Sequence, residues 1–126
     1  MIHDTATLVI ENDGKFLLIQ RSHPPNIGRW ESPGGHVDEG ETSEQAAIRE
    51  GQEELGGVEI IKELGVLKHT VEEDHHHMCH VFLCKLKGDL VLSAEAADHG
   101  WFTKEEIKKK NNVAAFFLRI LDEYLD

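Results

Sequence analysis

The sequence has no apolar run approaching membrane-spanning length, and its start, MIHDTATLVI, lacks a basic segment ahead of an apolar one. Neither a spanning helix nor a secretory leader is therefore expected. Positive charge is scarce: 13 Lys+Arg stand against 24 Asp+Glu, a formal net charge of -11. Most of such a surface repels a nucleic-acid backbone or an anionic membrane, so neither polymeric nucleic acid nor a membrane is an expected partner. Cysteine is nearly absent. The two that occur, Cys79 and Cys84, lie five positions apart in one strand-like segment and face opposite sides, so no bond between them is expected. They read as small core residues in a reducing compartment, which makes a cytoplasmic location the expectation. Repeats, low-complexity segments and linkers are also missing, and 126 residues suffice for one domain, 1–126, with a core of its own.

What the chain has instead is acid, concentrated in Gly35 to Gly57, GHVDEGETSEQAAIREGQEELGG. The pattern predicts a helix from about Thr42 to Leu55, opened by a Thr42/Gln45 capping box and closed by Gly56-Gly57. Residues three and four apart share a helical face, so Glu50, Glu53 and Glu54 project together, roughly 4.5 to 6 Å apart along the axis. Like charges at that spacing repel, and a divalent cation among them relieves the repulsion. The opposite face, Ala47, Ile48, Gly51 and Leu55, is small and apolar and is expected to pack on a sheet. An acidic chain can still take a small phosphorylated substrate if cations bridge the two.

Around this segment, Thr5 to Glu11 and Lys15 to Arg21 read as two core strands joined at Asn12-Asp13-Gly14, a strong hairpin signal. Ser22 to Gly28 is a loop, and Pro33 with Gly34 and Gly35 allows a tight backbone path. Trp30 beside this turn is expected to pack as core rather than stack on a base. Val58 to Ile61 and Leu64 to Lys68 are short β-like pieces, and Met78 to Leu86 is a strand. In that strand His76 and His80 share one face while His75 and His77 point the other way, so these four imidazoles do not converge on one ion. One or two of them are expected at the border of the substrate cleft. Glu72, Glu73 and Asp74 read as a solvated loop, and Leu90 to Leu92 as a short strand after the Lys87-Gly88-Asp89 turn. A second capping box, Thr103/Glu106, opens a short helix that Asn111-Asn112 ends, and Val113 to Leu125 has helical apolar spacing.

Gly35, five residues, Glu41, seven residues, Arg49-Glu50, two residues, Glu53-Glu54, one residue and Gly56 resembles the signature of the Nudix hydrolases. The preceding Trp-x-x-Pro-Gly-Gly string is similar to that family's lead-in, and Trp101-Phe102 before a capped helix is typical of its chains. Gly51 and Gly57 depart from the pattern, standing where an aliphatic residue is usual. Gly51 costs a helix about 0.5 to 1 kcal/mol relative to alanine, and either loosens it or lets it sit closer to a strand.

The resemblance covers essentially the whole chain and implies an α/β (α+β) fold, the Nudix α/β/α sandwich with a mixed sheet between helices. It implies Mg²⁺ or Mn²⁺ held by Glu50, Glu53 and Glu54, with the Gly34 carbonyl and Glu95 as further ligands; Asp98 competes with Glu95, and an idle loop would explain either. Glu53 or Glu50 is implied as the carboxylate that takes the proton from the attacking water. Arg49 is expected to pair with Glu41 or Glu53 and fix their rotamers, and Glu41 to orient ligands or complement the helix dipole. Arg21 is implied as a phosphate contact, against a plain surface arginine, and Asn111 as a base-reading residue, against simple helix termination.

The implied reaction is hydrolysis of a small nucleotide substrate, first of all a (deoxy)nucleoside triphosphate cut to monophosphate and pyrophosphate as in MutT-like members. Subfamilies acting on ADP-ribose or dinucleoside polyphosphates tend to carry Pro or Tyr roughly sixteen residues past the box, and Val71 to Asp74 has neither. ADP-ribose, another nucleotide sugar or a dinucleotide is the alternative substrate. A non-catalytic nucleotide sensor is the rival from another class, but sensors are expected to have eroded these glutamates. A monomer or homodimer is expected.

Overall fold

A computed structural model describes residues 2–125. In chain order the elements are β1 (Ile2–Asn12), β2 (Lys15–Arg21), β3 (Trp30–Glu31), β4 (Gly34–His36), α1 (Ser43–Leu55), β5 (Val58–Glu72), β6 (His75–Leu86), β7 (Ala96–Phe102), α2 (Lys104–Lys109) and α3 (Ala115–Tyr124). The hairpin forms where expected. Asp13 and Gly14 both have positive φ, 51° and 77°, the conformation that matches a two-residue turn to strand twist.

The strands make one mixed sheet in the order β3-β2-β1-β6-β5, with β4 on the first half of β1 and β7 on β2. The β1–β6 pairing is parallel and the other strand pairings are antiparallel. Alternate residues of β1 feed two cores: Ala6, Leu8 and Ile10 pack under α1, while Val9 joins Leu67, Val81 and the buried face of α3. The outcome is the expected sandwich, a sheet with α1 on one face and α2 and α3 on the other. Cys79 and Cys84 are free, buried and on opposite faces.

Several local expectations change. The two β pieces after α1 are one strand, β5, whose pairing with β6 shifts register at Ile60/Lys62 and Glu63/Gly65. Those irregularities break the sequence alternation that would have shown a single strand. Leu90 to Leu92 is not a strand; its backbone instead ties to α1, with Val91 N–H donating to Leu55 O at 2.9 Å. Asp98 belongs to β7, not to a loop. The last helix begins at Ala115, two residues late, because Val113 bridges Trp30 and Ala114 N–H donates to Trp30 O.

On α1 the expected Thr42/Gln45 capping box forms, and Gly56 closes the helix in the left-handed conformation, φ 90°. Its buried face is Ala46, Ala47, Gly51 and Leu55. Ile48, expected in that face, is 50% exposed. Gly51 resolves in favour of close approach: a Cβ there would lie inside the contact radius of both Val58 methyls. The helix therefore sits tight on the start of β5.

Gly51→Ala should consequently destabilise the fold by about 1–3 kcal/mol through overpacking, although alanine is the better helix former. Adding Val58→Ala should recover part of the loss in chemical denaturation. A Gly51→Ala protein more stable than the parent would show that the close approach is not limiting.

Candidate active site

The site is built where α1 passes β4. Gly34, Gly35 and His36 form that short strand against Thr5 to Thr7 of β1, and α1 lays its acidic edge along it. Both glycines are needed there. A Cβ on Gly34 would meet the Ala6 carbonyl, and one on Gly35 would strike the Glu50 carboxylate. With no side chains in the way, Gly34 N–H donates to Glu54 Oε2 at 3.0 Å.

Arg49 organises the edge. Its Nε and Nη2 donate to the two carboxylate oxygens of Glu41 at 2.9 and 3.0 Å, a bidentate pair, and Nη1 donates to Glu50 Oε1 at 2.9 Å. Nη2 also donates to the His36 carbonyl, and Asp38 lies 3.4 Å away. Glu53 is reached only at 3.5 Å and its side chain is 59% exposed. Arg49 thus pairs with Glu41 as expected, while Glu50 rather than Glu53 takes its second strong contact. Hydrogen bonding to Arg49 holds the Glu41 carboxyl below the usual range.

The two inner glutamates sit in the opposite environment. Burial pushes Glu54 up to about 8, with the nearby charges of Glu50, Glu31 and Glu95 adding to the effect and the Gly34 amide opposing it. Burial likewise raises Glu50, against the pull of Arg49. Glu50, Glu53 and Glu54 open with Gly34, Arg21 and Glu95 onto one cleft of about 410 Å³. Among the described residues no three carboxylate, imidazole or thiolate groups already converge on a point. Glu50 is held by Arg49 and Glu54 by the Gly34 amide, while Glu53 is exposed with Arg49 at 3.5 Å.

Of the other expected residues, Arg21 reaches the cleft after a register shift between Gln20 and Arg21 in the β2–β7 pairing. Its guanidinium donates to Glu31 Oε1 at 2.9 Å and to the Pro25 carbonyl at 2.8 Å, so it is anchored rather than loose on the surface. Glu95 lines the cleft in a turn whose carbonyl accepts from Ser22 Oγ. Asp98 does not line it; its carboxylate accepts from the His99 amide. Asn111 is exposed beyond α2 and lines neither this cleft nor its neighbour. Trp30 packs edge-on to Phe102 with Lys110 over its face at 4.2 Å, as part of the α3-side core. Glu72, Glu73 and Asp74 are exposed and away from the cleft.

Sequence reasoning missed Glu31. It accepts from both Arg21 and Arg29 at 2.9 Å and stands between the carboxylate cleft and a second, more apolar cavity of about 540 Å³. Phe116, Phe117 and Ala114 of the α3 region line that cavity on one side, and Thr5, Thr7 and Cys79 of the sheet on the other. Of the four imidazoles His75, His76, His77 and His80, only His77 lines this cavity, together with His36 and His69. The signal for Glu31 was its flanking arginines, whose convergence depends on the β2–β3 pairing.

Comparison with known proteins agrees with this geometry. A NUDIX domain model matches residues 1–123. A "MutT-like protein" of Streptomyces ambofaciens is 34% identical over 119 residues, 93% of this chain and 73% of that protein. An "ADP-ribose pyrophosphatase" of Methanocaldococcus jannaschii is 34% identical over 104 residues, 80% of this chain and 62% of that protein. The crystal structure of a MutT NUDIX hydrolase from Burkholderia pseudomallei superposes with a TM-score of 0.84 at 27% identity, covering 98% of both chains. An acidic helix edge laid on a glycine strand, in this sandwich and with these relatives, leaves one conclusion: the chain belongs to the Nudix hydrolases, enzymes of pyrophosphate bonds in phosphorus-containing substrates.

Proposed function

We propose that this chain is a Mg²⁺-dependent pyrophosphohydrolase that cuts a (deoxy)nucleoside triphosphate to the monophosphate and pyrophosphate. The observation that carries the proposal is the adjacency of two unlike cavities, one acidic with Arg21 at its wall, the other apolar and aromatic, joined at Glu31, Ser32 and Gly34. A polyphosphate with its cations suits the first, and a nucleoside suits the second.

The donors are carboxylates and a backbone carbonyl, the hard oxygen set that Mg²⁺ and Mn²⁺ prefer. Burial and mutual repulsion keep Glu54 protonated near neutrality, a condition that a bound cation reverses. Glu50, Glu53 and Glu54, with the Gly34 carbonyl and Glu95, would hold the ions. When bound, such ions neutralise the phosphates and lower the pKa of a coordinated water. Glu53, the most exposed of the three and farther from Arg49 than Glu50 is, is the one to accept the water's proton, with Glu50 the alternative. Arg49 fixes Glu50 and Glu41 and does not touch substrate. Arg21, positioned by Glu31 and the Pro25 carbonyl, contacts a phosphate. Asn111, outside both cavities, would reach a base only by movement of the segment after α2. The buried free thiols of Cys79 and Cys84 suit a reducing, cytoplasmic setting.

Two outcomes follow. A panel of nucleoside triphosphates, ADP-ribose and dinucleoside polyphosphates with Mg²⁺ should release pyrophosphate and monophosphate from a triphosphate, and Glu53→Gln should lose ~10²-fold or more in kcat while staying folded. A folded Glu53→Gln or Glu54→Gln protein with full turnover would falsify the catalytic assignment, and binding without turnover across the panel would make the chain a sensor.

The second outcome concerns pH. Glu54 has a folded pKa of about 8 against an ordinary value of 4.5, so between these limits the native state binds more protons than the unfolded one. Stability of the metal-free protein should therefore fall as pH rises from about 5 to 8. Thermal denaturation at pH 6 and pH 8 should show this loss in the parent and a smaller one in Glu54→Gln. Saturating Mg²⁺ should shrink it in the parent. Equal slopes in parent and variant would contradict the buried-carboxylate account.

A further inference from the structure

The face of the sheet that carries α3 also gathers imidazoles. The parallel β1–β6 register sets His3 beside His77, and the antiparallel β5–β6 register sets His69 on its other flank. His75, two residues back on β6, shares that face, and His36 arrives from β4. Ring centres lie 5.0 Å apart for His75–His77 and for His3–His75, 5.4 Å for His36–His77, 5.8 Å for His3–His36 and 6.0 Å for His3–His77. The Nε2 atoms of His75 and His77 are both buried and without a hydrogen-bond partner. Two such atoms side by side in one cluster mark an unmet need for a ligand.

We infer that His75 and His77, together with His3 and His36, form a binding site for one borderline transition ion of the Zn²⁺ class, with a donor set distinct from the carboxylate row. Ligand nitrogens about 2.0–2.1 Å from a tetrahedral ion put imidazole centres roughly 5.2 Å apart, which the His75–His77, His3–His75 and His36–His77 spacings approach. The nitrogens do not aim at a common point, so ligation requires the rings to rotate. Imidazole donors select Zn²⁺, Ni²⁺ or Cu²⁺ over Mg²⁺. Burial and the surrounding imidazoles of His36, His75, His69 and His3 lower the pKa of His77, which favours the neutral, ligating ring. His76 and His80, on the other face, take no part: His76 meets Thr70, and His80 meets Asp4 and Glu63. His36 and His77 also line the apolar cavity, so an ion held here stands at its wall.

The test is a calorimetric titration of Zn²⁺ into protein already saturated with Mg²⁺, repeated with Co²⁺ and read in the visible spectrum. One equivalent should bind, the Co²⁺ form should show the strong absorption of a tetrahedral site, and His75→Gln and His77→Gln should each weaken Zn²⁺ at least tenfold. His76→Ala and Glu53→Gln should leave that affinity unchanged. The inference is overturned if Zn²⁺ does not bind, if both β6 variants bind it like the parent, or if Glu53→Gln abolishes the binding. Because no step reads catalysis, failure of the proposed reaction would leave this result intact.

Discussion

Glu50 and Glu54, one helical turn apart and both partly withdrawn from water, impose the constraint around which the site is arranged. Two unit charges ~6 Å apart at an effective dielectric constant near 20 repel by about 3 kcal/mol. Arg49 neutralises Glu50, and the Gly34 amide supplies only a neutral dipole to Glu54, which stays protonated up to about pH 8. Ionising Glu54 would leave the arrangement one positive charge short on its inner side. Under the proposed function a divalent cation would supply that charge and bind the polyphosphate.

The fold makes this possible by removing side chains rather than adding them. Gly34 and Gly35 let β4 and the acidic edge of α1 touch, and Gly51 lets the other face of the same helix settle on Val58. A helix clamped on both sides by glycine contacts has little freedom to relieve its internal repulsion by shifting.

What could be read in advance was whatever is encoded locally. The Asp13-Gly14 turn and both capping boxes depend on residues at most four apart and took the expected form, and Glu50, Glu53 and Glu54 line one cleft without converging on a point. The strand β7 did not show, because Ala-Ala-Asp-His-Gly has no apolar alternation and is strand only through its pairing with β2. Ile48 exchanged places with Ala46 since the close fit on the sheet admits small residues and turns the larger one outward. Glu31 and the imidazole cluster share one cause of invisibility. They are assembled by pairings between strands up to 74 positions apart in sequence, as in His3 with His77, and no local pattern reports a parallel register.

The direct measurement is anomalous diffraction from crystals of this protein grown with Mn²⁺ and a non-hydrolysable nucleoside triphosphate. The account requires manganese density among the Glu50, Glu53 and Glu54 carboxylates, touching the polyphosphate. Carboxylates that keep their separate contacts with Arg49, Gly34 and solvent, with the metal elsewhere, would contradict it.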